Sequence, residues 1–174
     1  LLMGVAALHG SDEGVAALLF YGAAYAVANL AAFAVVLLVM RERRSVAVAA
    51  LAGLGRHHPW WTATLVLAVL SLLGIPPLAG FVGKLELFRA AIDAGQAWLA
   101  VVAVVTTIVS IYPYFRLIAP TVLEAPDDAA VPTRADGALI VGTAVAVVLV
   151  VAIGVAAEPL LDLVDSATAP AGVP

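Results

Sequence analysis

LVLAVLSLLGIPPLAGFVGKLELFR, residues 65–89, is the stretch that decides the fold of this chain. It is largely apolar up to Pro76 and Pro77, after which the apolar pattern resumes. Each proline lacks a backbone N–H and crowds the carbonyl four residues earlier, here those of Leu72 and Leu73. The sequence therefore predicts a helix that breaks at the proline pair and leaves two backbone carbonyls in need of other partners.

Beyond the break, two glycines, Gly80 and Gly83, precede Lys84, the one lysine of the sequence. We assign the glycines to the break as well. A charge in the hydrocarbon core costs about 2.5–3.5 kcal/mol on insertion scales, so an intramembrane lysine indicates a functional site. The alternative is a lysine that snorkels from a helix end. We favour the functional interpretation because Lys84 lies well inside the hydrophobic segment 60–93.

The composition predicts a membrane protein. Apolar residues make up 64% of the chain, charged residues only 11%, and the mean hydropathy is +1.13, whereas soluble domains carry about 25% charged residues. The net charge is −4 and the sequence contains no basic patch, which argues against nucleic-acid binding. The sequence contains no cysteine, which excludes disulfides, cysteine-ligated zinc and iron–sulfur ligation by this chain, and we predict no metal site.

The hydrophobic pattern predicts an all-α, polytopic bundle of transmembrane helices with one proline-broken helix. An apolar stub over residues 1–8 is too short to span a bilayer, so we expect a C-terminal fragment of a larger membrane protein. The predicted elements are spans at about 15–40, 60–93, 98–123 and 137–157, and a tail at 158–174. As one continuous helix, 60–93 would be roughly 50 Å long, which exceeds the hydrocarbon core of about 30 Å. The segment is therefore either one bent span or two short limbs that return to the same side of the membrane.

Polar residues mark the first span and the loop after it. Tyr21, Tyr25 and Asn29 follow one another at i, i+4 spacing and form a polar stripe. For Asn29 we consider an interhelical hydrogen bond, or a water held beside a proton path. The loop 41–59 contains four arginines, so the positive-inside rule places it in the cytoplasm. Its apolar part, 45–54, predicts a surface helix or turn against the bundle.

Charged residues also follow Lys84. Glu86 and Arg89 have i, i+3 spacing, which predicts that they pair and that Arg89 is structural. Lys84 and Glu86 point to different helix faces, so Glu86 is not automatically the counter-ion of the lysine. In the span 98–123, Pro113 predicts a kink.

Three segments carry a resemblance to a known family. SLLGIPPLAGFVGK (71–84), LFYGAAYAVANLAAF (19–33) and GLGRHHP (53–59) are similar to the antiporter-like membrane subunits of proton-pumping NADH:quinone oxidoreductase, respiratory complex I, and most of all to subunit N. The resemblance implies a 14-helix fold with two inverted five-helix repeats, of which this chain is the last third. It implies one broken helix rather than a hairpin, and it places Lys84 on the lysine of a hydrated proton axis. Glu86 and Pro113 depart from the family pattern.

The resemblance implies a proton-translocating, non-redox subunit of the oxidoreductase in a bacterial inner membrane, crossing it several times. Lys84 would transfer protons, with Tyr21, Tyr25, Asn29 and Glu86 as supporting polar groups. Flavin and iron–sulfur clusters would reside in partner subunits, quinone would be a substrate of the whole complex, and this chain would bind no cofactor. Its partners would be other membrane subunits, lipid and protons. The alternatives are a Na⁺/H⁺ antiporter complex or membrane-bound hydrogenase subunit, or a purely structural membrane subunit.

Overall fold

A computed structural model describes residues 12–45, 47–125, 137–157 and 159. All regular secondary structure within these ranges is helical, so the predicted all-α class is confirmed. A 3₁₀ helix over Val48–Leu51 accompanies six α-helices, which are α1 (Asp12–Arg43), α2 (Leu54–His57), α3 (Pro59–Leu73), α4 (Ala79–Asp93), α5 (Ala97–Leu123) and α6 (Gly137–Val155).

Helix α1 occupies the centre of the bundle and packs against α3, α4 and α6. Its buried face carries small residues three to four positions apart, including Ala24, Ala28 and Ala31. Small side chains allow helix axes to approach closely, which favours packing in the absence of a hydrophobic driving force between helices in lipid. Helix α5 packs against α3 and α4 from another direction.

The segment between α1 and α3 packs against the bundle, as its apolar part predicts. Leu51 of the 3₁₀ helix and Leu54 of α2 are buried in one cluster with Trp61 and Leu65 of α3. The N–H of Gly53 donates to a carbonyl of α5 at 3.1 Å. This short segment therefore fixes the adjacent ends of α1, α3 and α5.

The predicted interruption falls between two helices, because α3 ends at Leu73 and α4 begins at Ala79. That α3 and α4 together make a single membrane crossing stays a prediction. Helix α5 continues through Pro113. The stub 1–8, the loop 126–136 and the tail from 160 onwards lie outside the described residues, as does the side-chain environment of Glu158.

Two helices are long and apolar enough to cross a membrane by length and composition, over Gly14–Arg41 and Ala97–Leu123. The apolar helices Pro59–Leu73 and Ile140–Val155 are shorter. Only 11% of an 18-residue apolar stretch of α5 is buried. The exposed face of α5 carries valine, isoleucine and aromatic side chains. An apolar face of this size is typical of contact with lipid or another protein segment.

The start of α4 lies directly against the end of α3. A Cβ atom at Gly80 would overlap the Ser71 carbonyl oxygen, so no larger residue fits without moving the backbone. In contrast, a Cβ at Gly22, on the exposed side of α1, would have nothing within 4 Å.

We predict that Gly80→Ala destabilises the protein, because overpacking of a close contact costs about 1–3 kcal/mol. Gly22→Ala is the matched control and should leave stability unchanged or slightly raised, since alanine is the better helix former. The measurement is the apparent melting temperature of the purified assembly, with its amount in membranes. Equal melting temperatures for the two variants would show that α3 and α4 are not in backbone contact.

Candidate functional site

The end of α3 is a Schellman motif. Gly74 adopts a left-handed conformation with φ +84°, which glycine accommodates without a steric penalty. Its N–H donates to the Ser71 carbonyl at 2.9 Å, and the N–H of Ile75 donates to the Leu70 carbonyl at 3.0 Å. Two of the last four carbonyls of the helix are satisfied in this way.

The carbonyls of Leu72 and Leu73 are the other two, and the positions four residues later hold prolines without an N–H. Lys84 supplies the missing donor from the second turn of α4. Its Nζ lies 3.0 Å from the Leu72 oxygen and 2.9 Å from the Leu73 oxygen. A cation at a helix C-terminus also interacts favourably with the helix dipole. The lysine therefore completes the hydrogen bonding of the helix end that the prolines interrupt.

Ser71 makes the reciprocal contact at the start of α4. Its Oγ is fully buried and accepts a hydrogen bond of 3.2 Å from the N–H of Gly80, the second residue of α4. The first N–H groups of a helix have no intrahelical acceptor. The end of α3 thus caps α4 through a serine side chain, and α4 caps α3 through a lysine side chain.

Lys84 faces a cavity of about 430 Å³ between α1, α4 and α5. The stem of the lysine passes over Gly74, where a Cβ would lie 3.0 Å from its Cδ. On the α1 side, the rings of Tyr21 and Tyr25 are 6.0 Å apart between centroids. Hydroxyl-bearing residues of two helices, α1 and α5, share this cavity with Lys84, namely Tyr21, Tyr25, Thr106, Thr107, Ser110 and Tyr114.

The hydroxyl groups of α5 are the part of the site that the sequence analysis missed. Thr106 donates to the Ala103 carbonyl at 2.9 Å, and Ser110 donates to the Thr106 carbonyl at 2.7 Å. Each hydroxyl oxygen can still accept a hydrogen bond from water. Thr107, Ser110 and Tyr114 lie three to four residues apart, which is the spacing of one helix face and the signal that could have identified them.

Two predicted supporting residues lie elsewhere. Asn29 donates from Nδ2 to the Tyr25 carbonyl at 2.8 Å, within α1, and an interhelical hydrogen bond of its amide stays a prediction. A short amide side chain on a helix can reach the carbonyl one turn back, which competes with partners on other helices. Glu86 accepts a 2.6 Å hydrogen bond from Nη1 of Arg89, which confirms the predicted pair. The Glu86 carboxylate is therefore directed to Arg89 rather than to Lys84.

The four residues predicted to form the break have different surroundings. Pro76 and Pro77 are exposed, whereas Gly80 and Gly83 are buried. A Cβ at Gly83 would lie 2.9 Å from a ring carbon of Tyr21, so this glycine lets α4 approach the tyrosine. Throughout the described ranges, no group of three or more His, Cys, Asp or Glu residues could hold a metal ion.

Fold and site together define a class, a bundle of apolar helices with a proline interruption and an adjacent half-buried lysine. A family profile described as NADH:quinone oxidoreductase/Mrp antiporter, transmembrane, matches residues 1–110. The chain belongs to this family. The predicted resemblance to subunit N is confirmed by a relative from Solidesulfovibrio magneticus, NADH-quinone oxidoreductase subunit N 2, which is 40% identical over 166 residues, or 95% of this chain and 35% of that protein.

Solved structures have the same fold. A chain of respiratory complex I from Thermus thermophilus is 33% identical, with a TM-score of 0.78 over 92% of this chain and 36% of that chain. A chain of the Mrp complex from Dietzia is 24% identical with a TM-score of 0.78, over 91% of this chain and 38% of that chain, and it supports the fold alone. This chain spans about a third of the length of the relatives that it matches.

We predict that Ser71→Ala destabilises the assembly, because the buried N–H of Gly80 loses its acceptor and an unsatisfied buried donor costs about 1–3 kcal/mol. Ser110→Ala is the control, since that hydroxyl donates to the Thr106 carbonyl of its own helix. Thermal unfolding of the purified assembly distinguishes the two. If both variants melt at the wild-type temperature, the Ser71 hydroxyl does not cap α4.

Proposed function

We propose that this chain is part of a proton-translocating subunit of NADH:quinone oxidoreductase, of the subunit N type, which crosses a bacterial inner membrane several times. Lys84 is the group that exchanges protons. The observation that carries the proposal is the position of its Nζ, which lies at a helix interruption beside two backbone carbonyls and lines a cavity with six hydroxyl-bearing residues. The named relatives support the choice of complex.

The hydrogen bonds of Lys84 suit proton exchange. A lysine ammonium has three N–H donors, and two of them are accepted by Leu72 and Leu73. The third is free to donate to water or a hydroxyl in the cavity. Loss of that proton leaves a neutral amine with two N–H groups for the two carbonyls and a lone pair for the cavity. The side chain can therefore release and accept a proton without leaving its place.

The environment balances the two forms of the lysine. Desolvation among apolar side chains disfavours the ammonium, whereas carbonyl acceptors at a helix C-terminus favour it. Hydration of the cavity or movement of α5 would shift this balance, and the proton would then be loaded or released. Tyr21, Tyr25 and Tyr114 line the cavity together with the hydroxyls of α5, and these groups can hydrogen-bond water that enters it.

Redox chemistry belongs to other subunits in this proposal. Flavin and iron–sulfur clusters are carried by partner subunits, quinone is the substrate of the whole complex, and this chain contributes the proton path within the bilayer. Its partners are the other membrane subunits, lipid and protons.

The alternative functions have weaker support. The family also contains Mrp antiporter subunits, but the Mrp chain is only 24% identical and supports the fold alone. Neighbouring genes distinguish them, since dehydrogenase and iron–sulfur subunits accompany complex I and small antiporter subunits accompany the alternative. A purely structural subunit would hold Lys84 in a permanent pair with a carboxylate. Within the described residues, the hydrogen bonds of Lys84 go to backbone carbonyls instead.

We predict that Lys84→Met assembles but slows proton transfer through this subunit by roughly 10²-fold, the lower range for a positioned acid–base group. Some loss of stability is expected because two carbonyls lose a donor, offset by removal of a buried charge. The measurement is the proton gradient formed per NADH oxidised, at equal amounts of assembled complex.

Lys84→Arg separates the two roles of the lysine. A guanidinium can donate to both carbonyls but hardly deprotonates, so this variant should assemble and still be impaired in pumping. Arg89→Ala is the control, because the Arg89 side chain is 62% exposed and pairs with Glu86. It should retain pumping per assembled complex. Normal pumping by Lys84→Met would overturn the assignment.

A further inference from the structure

Helix α6 touches the interruption between α3 and α4 through a glycine. Gly154 is buried, and a Cβ atom there would overlap the Pro77 carbonyl oxygen. The same atom would lie 2.6 Å from the Ala79 nitrogen and 2.7 Å from the Leu78 carbonyl carbon. All three atoms belong to the backbone, so no side-chain rotation could relieve the contact. Any larger residue at position 154 must displace the interruption itself.

A second residue of α6 also contacts the interruption between α3 and α4. Val150, one turn before Gly154, is 1% exposed and shares a buried cluster with Leu78 of the interruption and Ala28 of α1. Val150 fills the space beside the Leu78 side chain, while Gly154 admits the backbone of residues 77–79. The two residues therefore hold the interruption against α6 by different means.

We infer that Gly154 is a positioning residue for Lys84. The two carbonyls that bind Nζ end α3, and the lysine itself starts from α4, so the Nζ–carbonyl distances depend on how the linking segment sits. Gly154 sets the depth at which that segment packs. The inference rests on the proposed function for the role of Lys84, although the contact is independent of it. Residues 1–110 match the family profile, so α6 adds this element from outside the matched region.

The test follows the reactivity of Lys84. Membranes containing the full-length protein in its complex are treated with acetic anhydride at one alkaline pH, and acetylation of the Lys84 peptide is followed by mass spectrometry. Lys84 is the one lysine of residues 1–174, so a peptide from this region that contains it carries a single lysine to acetylate. In Gly154→Ala, the acetylation rate should rise roughly three- to tenfold. Weakening one hydrogen bond from the ammonium to a carbonyl favours the neutral amine that reacts, and partial loss of one such bond gives a change of this size.

Gly142→Ala is the matched control on α6, since a Cβ at Gly142 would have nothing within 4 Å. It should leave the acetylation rate unchanged. If Gly154→Ala does not assemble, the acetylation rate of Val150→Ala is measured in its place. This variant loosens the contact with Leu78 and adds no atom that could clash with the backbone. An increase confined to Gly154→Ala or Val150→Ala supports the inference. A rate equal to or below that of Gly142→Ala, in the variant that assembles, overturns it.

The result is separable from the proposed function. Normal pumping by Lys84→Met would refute proton exchange at Lys84 whatever the acetylation rates are. Impaired pumping by Lys84→Met, together with an unchanged acetylation rate in Gly154→Ala, would refute only the positioning role.

Discussion

The hydrogen bonds from Lys84 to the carbonyls of Leu72 and Leu73 are the interaction on which the rest of the site depends. A proline pair in a membrane helix leaves two carbonyls without donors, and in hydrocarbon such groups must be satisfied within the protein. At the membrane position proposed for it, the lysine is also costly unless its N–H groups are accepted. Placed together, the lysine and the two carbonyls supply each other's missing hydrogen-bond partners.

Close backbone contacts make that arrangement possible. Gly80 lets α4 begin beside Ser71, Gly83 lets it approach Tyr21, and Gly154 admits the interruption against α6. Each position brings backbone or ring atoms nearer than a methyl group would allow. The geometry around Lys84 is therefore constrained by close contacts of α1, α3, α4 and α6, most of them with main-chain atoms.

Part of the site could be predicted from the sequence. The proline spacing identified the carbonyls of Leu72 and Leu73, and the hydrophobic pattern placed the helices to within a few residues. The sequence could not show that Lys84 reaches back to those same carbonyls, because that contact depends on the orientation of α4 relative to α3 after the break. Nor could the sequence show that the Asn29 amide reaches the Tyr25 carbonyl of its own helix. The contact of Gly154 joins residues far apart in the sequence, and no local pattern encodes it.

The most direct test of this account is a cryo-electron-microscopy structure of the assembled complex at a resolution that shows ordered water. The account predicts Nζ of Lys84 within about 3.2 Å of the Leu72 and Leu73 carbonyl oxygens, with water between Lys84 and the hydroxyls of α5. A Lys84 side chain paired with a carboxylate from another segment, with water or another donor on the two carbonyls, would contradict it.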